Sequence, residues 1–403
     1  MAAPSYYVVW AIIVYAWVAN YLIRMSLGSL LPPIMEELTL SYTSAGFLST
    51  GFFYAYMLMQ LPAGYLGDRL GRKRMLVAGL VLSAASSVLT GLAGSFVTLF
   101  GARFLTGLSQ GFLFSNDRVI IAASTPRDKM ALGLGISFSG PGMGTTLGIF
   151  LAGALGAWMV WRSVFFLFAL PALSAAVLLW LFAPEPPRAG AAANPAWPFS
   201  RVLKSRRFWL LGALAVMPVY TQFVLAVWGP LLFVEVGVRD LSRAAFLASV
   251  QGLMAPLGLL VSGLVADRMR SRGVGGEVVI ASSTLLLTAA LAVMGLAVSR
   301  HAAPAVLEAV MLVASFAIWC TWSPVFAILE SAFPPSVLGR AFGAFNTAAF
   351  LGGVVGPHLT GFLRDLTGSF AVPIYVMAAL SLAGAATALS LPAMSRRAAV
   401  AGR

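Results

Sequence analysis

The chain has 403 residues, of which 60% are hydrophobic and only 10% charged, and its mean hydropathy is +0.91. That excludes an ordinary soluble domain, in which roughly a quarter of the residues carry charge. The net charge of +13 would suit a nucleic-acid binder, but the basic residues must first be placed on a membrane topology.

A helix needs roughly 20 apolar residues to cross a hydrocarbon core with every backbone polar group satisfied internally. On that scale the chain reads as twelve spans, at 7–31, 44–66, 75–93, 96–119, 131–156, 163–183, 208–233, 244–265, 277–298, 303–329, 341–363 and 371–393. The first apolar stretch, Tyr6 to Leu31, has no basic leader and is too long for a signal core, so it is a membrane helix and not a cleaved peptide. After the second span comes a dense charged loop, Gly64-Tyr65-Leu66-Gly67-Asp68-Arg69-Leu70-Gly71-Arg72-Lys73-Arg74. A shorter echo, Gly263-Leu264-Val265-Ala266-Asp267-Arg268, follows the eighth span, and Asp68 and Asp267 are about 199 residues apart.

A Gly-Pro pair also recurs, as Gly140-Pro141 in the fifth span and Gly356-Pro357 in the eleventh, and the only stretch of linker composition, Pro184 to Arg207, separates six spans from six. The expected organisation is an N-terminal six-helix bundle over 1–183, a cytoplasmic linker over 184–207 and a C-terminal six-helix bundle over 208–403. A pseudo-two-fold axis along the membrane normal relates such bundles, with substrate held near the midplane. With the N-terminus inside, about 18 Lys and Arg face the cytoplasm, among them Arg69 to Arg74, Arg127, Lys129, Arg201 to Arg207, Arg268 to Arg272, Arg396 and Arg397. Arg162, Arg239, Arg243, Arg300 and Arg364 face outward. The positive charge is therefore an orientation device, which puts both termini in the cytoplasm and argues against a nucleic-acid surface.

Arg24 lies well inside the first span, where a guanidinium costs roughly 2.5–3.5 kcal/mol unless it finds water, an anion or a partner. Asn20, Tyr21 and Gly28 share its helix face and make that face polar and uncrowded. A planar fork in that setting suits a carboxylate, held bidentately. The plainer reading is an arginine that snorkels to the outer surface. Gly140, Pro141, Gly142, Gly144 and Gly148 give the fifth span a small-residue face for close helix packing.

The loop motif resembles that of the major facilitator superfamily, Gly-x-Leu-x-Asp-Arg-x-Gly-Arg-Lys/Arg, at Gly64, Leu66, Asp68, Arg69, Gly71, Arg72 and Lys73. The fourth-span pattern Arg-x-x-x-Gly-x-x-x-Gly is matched by Arg103, Gly107 and Gly111. Finer matches resemble the organic-anion transporters of the anion:cation symporter group. They are Asn20 to Arg24, Tyr56-x-x-x-Gln60-Leu-Pro, Asn116-Asp117-Arg118, and Asn346 followed by Leu351-Gly352-Gly353-x-x-Gly356-Pro357.

The resemblance implies an all-α membrane fold of twelve transmembrane helices in two pseudo-symmetric six-helix bundles. It implies substrate contacts at Arg24, Tyr56 and Gln60; the further candidates are Asn20, Tyr21 and Gln110, with C-half counterparts at Tyr220, Gln251, Trp319, Ser323 and Asn346. An inside gate would be formed by Asp68, Arg72, Asp117 and Arg118. The group's usual acids are absent: Ile23 stands where an Asp precedes the Arg, and Ser109 and Gln110 stand near the position of a mid-helix Glu. Candidate coupling groups are then Asp117, Glu308 and His358.

No cofactor is expected. One cysteine, Cys320, two histidines and scattered acids offer no disulfide framework, metal site or nucleophile constellation, so no enzyme is expected. The expectation is a monomeric secondary or facilitative transporter of a bacterial-type inner membrane. It would move a small organic anion by alternating access, with membrane lipid and a coupling ion or counter-anion as its other partners. The alternatives are an exporter of drugs or hydrophobic metabolites on the same fold, and a transporter-like sensor.

Overall fold

The computed structural model describes residues 5–126, 129–186 and 199–401. Arg127 and half of the expected linker, residues 187–198, lie outside the described residues. The described residues form α-helices and short connections with no strand. In chain order these are α1 Tyr6–Glu37, α2 Tyr42–Leu70, α3 Arg72–Gly91, α4 Phe96–Gly111, α5 Leu113–Ser124, α6 Met130–Gly156 and α7 Trp161–Phe182. A short α8, Ser200–Lys204, precedes α9 Arg206–Glu235, α10 Leu241–Ser249, α11 Met254–Ser271, α12 Gly276–Ser299 and α13 Pro304–Cys320. The chain then continues through α14 Trp322–Ala332, α15 Pro335–Ala349, α16 Leu351–Thr367 and α17 Ala371–Ala401.

Twelve membrane spans emerge once the interrupted pairs are joined. α4 and α5 are parted by Phe112, α13 and α14 by Thr321, and α15 and α16 by Phe350, while a 3-10 turn at Val250–Leu253 separates α10 from α11. At Phe112 the amide bonds back to Ser109 O at 3.4 Å, and at Thr321 to Ile318 O at 3.2 Å, so each break is one tightened turn and not a loop. Among the described residues, eight helical stretches are long and apolar enough to cross a membrane by length and hydropathy alone.

The helix ends follow local chemistry. Ser95 and Thr98 cap α4 reciprocally, Asp240 accepts from Ser242 N at 3.0 Å at the start of α10, and Gly368 closes α16 in the left-handed region. The charged segment read as a loop over Gly64 to Arg74 is helical on both sides, which corrects that expectation. α2 runs to Leu70 and α3 starts at Arg72, and Gly71 alone turns the chain, at φ +106°. A side chain at that φ is strained, so one glycine does the work of a loop.

The chain divides into two compact units. The first holds the described residues of Met1–Ala192 together with Ala226–Val234 and Val238–Gly252; the second holds those of Ala193–Leu225, Glu235–Gly237 and Leu253–Arg403. In the first unit α6 lies on α1 along glycines spaced by four. A Cβ at Gly140 would stand 2.6 Å from Trp17 Cβ, and one at Gly144 would stand 2.5 Å from Tyr21 Cβ. In the second unit the other Gly-Pro pair packs in the corresponding way, because a Cβ at Gly356 would stand 3.2 Å from Tyr220 Cγ on α9. Thus the fifth span packs on the first and the eleventh on the seventh, through the same dipeptide. Such small residues let backbones approach where lipid supplies no hydrophobic force between helices.

The ends of the first spans repeat as well. Glu37, closing α1, accepts from Trp161 Nε1 at 2.6 Å and pairs with Arg162 at the start of α7. Glu235, closing α9, pairs with Arg364 at 3.1 Å and accepts from Ser369 Oγ at 2.7 Å and Phe370 N at 3.0 Å, just before α17.

Candidate functional site

Within the first unit Arg24 is only 5% exposed. Its guanidinium carbon lies 5.0 Å from the ring centre of Tyr21, 4.9 Å from Phe52, 5.3 Å from Phe53 and 4.9 Å from Tyr56. Arg24 Nη1 also reaches the Tyr21 hydroxyl at 3.4 Å. Each cation–π contact contributes about 0.5–1 kcal/mol. Four of them offset most of the roughly 2.5–3.5 kcal/mol that a guanidinium costs inside a span. The box is built by helical spacing: Phe52, Phe53 and Tyr56 project from adjacent turns of α2 toward α1. α4 can press α2 into place because Gly107 lies so close that a Cβ there would stand 2.1 Å from Phe52 O.

Arg103, on α4, is 2% exposed and is spent on the backbone of α1. Its Nη1 donates to Ile23 O at 3.2 Å and its Nη2 to Arg24 O at 3.3 Å, and its guanidinium covers Phe52 at 5.1 Å. Arg103 therefore holds the carbonyl of the residue whose side chain occupies the box. Gln110, two residues before the break at Phe112, works in the same way and donates Nε2 to Asn20 O at 3.0 Å.

Asn20 accepts from Ser83 Oγ at 3.5 Å and keeps a buried Nδ2 with no hydrogen-bond partner among the described residues. Gln60 is buried beside the Tyr56 hydroxyl, with which its side chain interacts. Asn20, Tyr21, Arg24, Tyr56, Gln60 and Gln110 are thus brought together, with Gln110 serving the α1 backbone. Gly28 does not leave the open space expected of it. A Cβ there would stand 2.5 Å from Ala226 O and 2.7 Å from Val227 O, so its lack of a side chain lets the 226–234 segment pack against α1.

The expected gate residues form two neighbouring knots. Asp68 pairs with Arg72, whose Nη1 donates to Asn116 Oδ1 at 3.2 Å, and Asn116 Nδ2 donates to Phe112 O at 2.7 Å. One residue on, Asp117 is 1% exposed, accepts from Trp17 Nε1 at 2.6 Å and pairs with Arg118 Nε at 3.4 Å. Arg118 Nη1 then donates to Ser137 Oγ at 2.7 Å. The first knot joins α2, α3 and α5, and the second joins α1, α5 and α6.

The C-half candidates are dispersed. Gln251 belongs to the first unit, in the 3-10 turn, and donates Nε2 to Ala248 O at 2.8 Å. Tyr220, Trp319, Ser323 and Asn346 belong to the second unit. There Tyr220 is buried, Trp319 packs on Gly258, Ser323 Oγ donates to Leu259 O at 2.9 Å, and Asn346 precedes the break at Phe350. Glu308 and His358 are half-buried on α13 and α16.

Phe52, Phe53, Ser83 and Trp17 were not singled out from sequence. The spacing of Phe52 and Tyr56, four apart beside a deep arginine, was the available signal. Among the described residues no group of three or more His, Cys, Asp or Glu could hold a metal.

Helical spans throughout, a deep cation in an aromatic box and charge knots at the helix ends define a multi-pass membrane transporter. The chain belongs to the Major Facilitator Superfamily, which its residues 13–357 match. Members of this family work by alternating access, and the chain is a transporter and not an enzyme.

It is 26% identical over 388 residues to a probable sulfoacetate transporter of Cupriavidus necator, covering 92% of this chain and 90% of that one. It is 26% identical over 368 residues to the hexuronate transporter of Bacillus subtilis, covering 88% and 87%. To human sialin it is 25% identical over 379 residues, covering 84% and 73%. Among solved structures it matches a bacterial homolog of the human lysosomal transporter Spinster, in an inward-facing and occupied conformation, with a TM-score of 0.83. That match has 17% identity and covers 96% of this chain and 97% of the other. A D-xylose-proton symporter matches with a TM-score of 0.79 at 16% identity, covering 96% and 97%. At such identities these structures establish the fold, the major facilitator fold of twelve helices.

Proposed function

We propose that the protein carries a small organic anion, most simply a carboxylate, across a bacterial-type inner membrane with Arg24 as its charge anchor. The observation that carries this reading is the buried guanidinium of Arg24, boxed by four rings and lying beside the second buried guanidinium of Arg103. Two cations in one apolar wall repel each other, and an anion bound at Arg24 relieves that repulsion. Asn20 Nδ2 adds a donor that an acceptor-rich ligand would satisfy. The relatives named for sulfoacetate and hexuronate transport favour the same ligand class.

In this reading the sequence halves 1–183 and 208–403 are the two rocking bundles, 184–207 links them and both termini are cytoplasmic, as the distribution of basic residues favours. Asp68, Arg72, Asp117 and Arg118 act as the inside gate. The working form is a monomer. Thermal-shift screening of purified protein against a panel of carboxylates and sulfonates, followed by uptake of the best ligand into proteoliposomes, tests the reading. Saturable uptake that unlabelled anion inhibits is the expected result. Uptake of uncharged hydrophobic compounds with no anion uptake would replace it with the exporter reading.

A further inference from the structure

At the turn from α2 to α3, the far end of α7 comes alongside, and Leu70, Gly71, Lys73, Arg74, Trp180 and Glu185 line a surface cavity of about 240 Å³ within the first unit. Its walls differ in chemistry. Leu70 and Trp180 are apolar and about half exposed, at 51% and 55%, and the neighbouring Leu181 and Phe182 are exposed too. Lys73 and Arg74 supply charge, with Lys73 Nζ 5.6 Å from the centre of the Trp180 ring.

Asp68 pairs with Arg72, and Glu185 Oε1 accepts from Lys73 N at 3.2 Å. Arg69, lying 4.5 Å from the Tyr65 ring centre, adds another cation to this rim. Lysine and arginine above a tryptophan, with bare leucine and phenylalanine below, are what the boundary between headgroups and acyl chains requires of a protein surface.

We propose that this cavity binds the headgroup of an anionic phospholipid. Lys73 and Arg74 meet the phosphate, while Leu70 and Trp180 lie against the glycerol and the first acyl carbons. The charge excess suits an anion, each basic residue near an anionic surface contributing about 1 kcal/mol. The apolar walls favour a lipid over free phosphate, which would leave Leu70 and Trp180 uncovered. Lys73 adjoins Arg72, so occupancy is placed one residue from the Asp68–Arg72 pair.

The test is thermal unfolding of the detergent-purified full chain with added phosphatidylglycerol, phosphatidylcholine, glycerol 3-phosphate or inorganic phosphate. Phosphatidylglycerol is expected to raise the midpoint more than phosphatidylcholine does, the two soluble phosphates to leave it unmoved, and the Lys73→Gln/Arg74→Gln variant to lose at least half of the difference. An equal lipid effect in variant and wild type overturns the proposal, and an equal effect of the soluble phosphates makes the cavity a phosphate site and not a lipid site.

Should the double variant not fold, quenching of tryptophan fluorescence by brominated lipid decides the matter. Brominated phosphatidylglycerol should quench the wild type more than brominated phosphatidylcholine does, and Trp180→Phe should abolish that difference. Quenching that is equal for the two lipids, or a difference that survives Trp180→Phe, overturns the assignment.

Discussion

Arg24 and Arg103 are two buried guanidiniums with different tasks, and substitution should separate them. Arg24→Lys keeps the charge but loses the planar fork that lies among four rings, and anion affinity should fall at least about tenfold, roughly 1.4 kcal/mol, with expression retained. Calorimetric titration of the folded variant checks this, and unchanged affinity in Arg24→Ala would move the site elsewhere. Arg103→Gln removes two charge-assisted bonds to the carbonyls of Ile23 and Arg24, each worth about 1.5–3 kcal/mol, so the melting temperature should drop along with affinity. An Arg103→Lys variant should recover part of both, because one ammonium can reach one carbonyl. If Arg103→Gln binds the anion as tightly as wild type, Arg103 does not position Arg24.

Arg24 was legible because a charge deep in an apolar run is costly enough to demand a reason. Phe52 and Phe53 were not, because an aromatic residue in a membrane helix looks the same in sequence whether it meets lipid, another helix or a cation.

Among the elements, the number of spans could be read from apolar length, whereas their interruptions could not. Phe112 sits inside an apolar run and breaks the helix with no proline of its own, and only the bond of its amide back to Ser109 O reveals the tightened turn. Gly71 shows the opposite case: eleven charged and glycine-rich residues suggested a loop, yet helices meet across one residue because only φ +106° is needed. That short join stiffens the Asp68–Arg72–Asn116 knot, which ties α2, α3 and α5. The Asp68 side chain is about half exposed, at 47%, so the ion pair itself contributes only about 0.2–1 kcal/mol to stability. Asp68→Asn should therefore leave folding and ligand affinity nearly intact while reducing transport severalfold, if the knot acts as a latch. Labelling of single cysteines at the inner and outer helix ends reads the state populations; identical labelling in Asp68→Asn and wild type would reduce Asp68 to orienting the chain in the membrane.

On the scale of the whole molecule, the repeat is visible in chemistry that only the structure exposes. The two Gly-Pro pairs pack on the first span of their own half, and Glu37 and Glu235 are each clasped by the start of the last span of that half. The same scale decides coupling. Ile23 is fully buried and Gln110 donates to Asn20 O, so the two positions where related symporters place acids are filled by an apolar side chain and a structural amide. Proton binding at those positions cannot be linked to anion binding at Arg24. The expected outcome is that proteoliposomes take up the anion without an imposed proton gradient, and that anion inside the vesicles stimulates uptake if the protein exchanges. Paired measurement of substrate and internal pH checks this. An obligatory proton flux in fixed ratio to substrate would defeat it and make Asp117, held by Trp17 and Arg118 on the bundle that carries Arg24, the first carrier to substitute, ahead of Glu308 and His358.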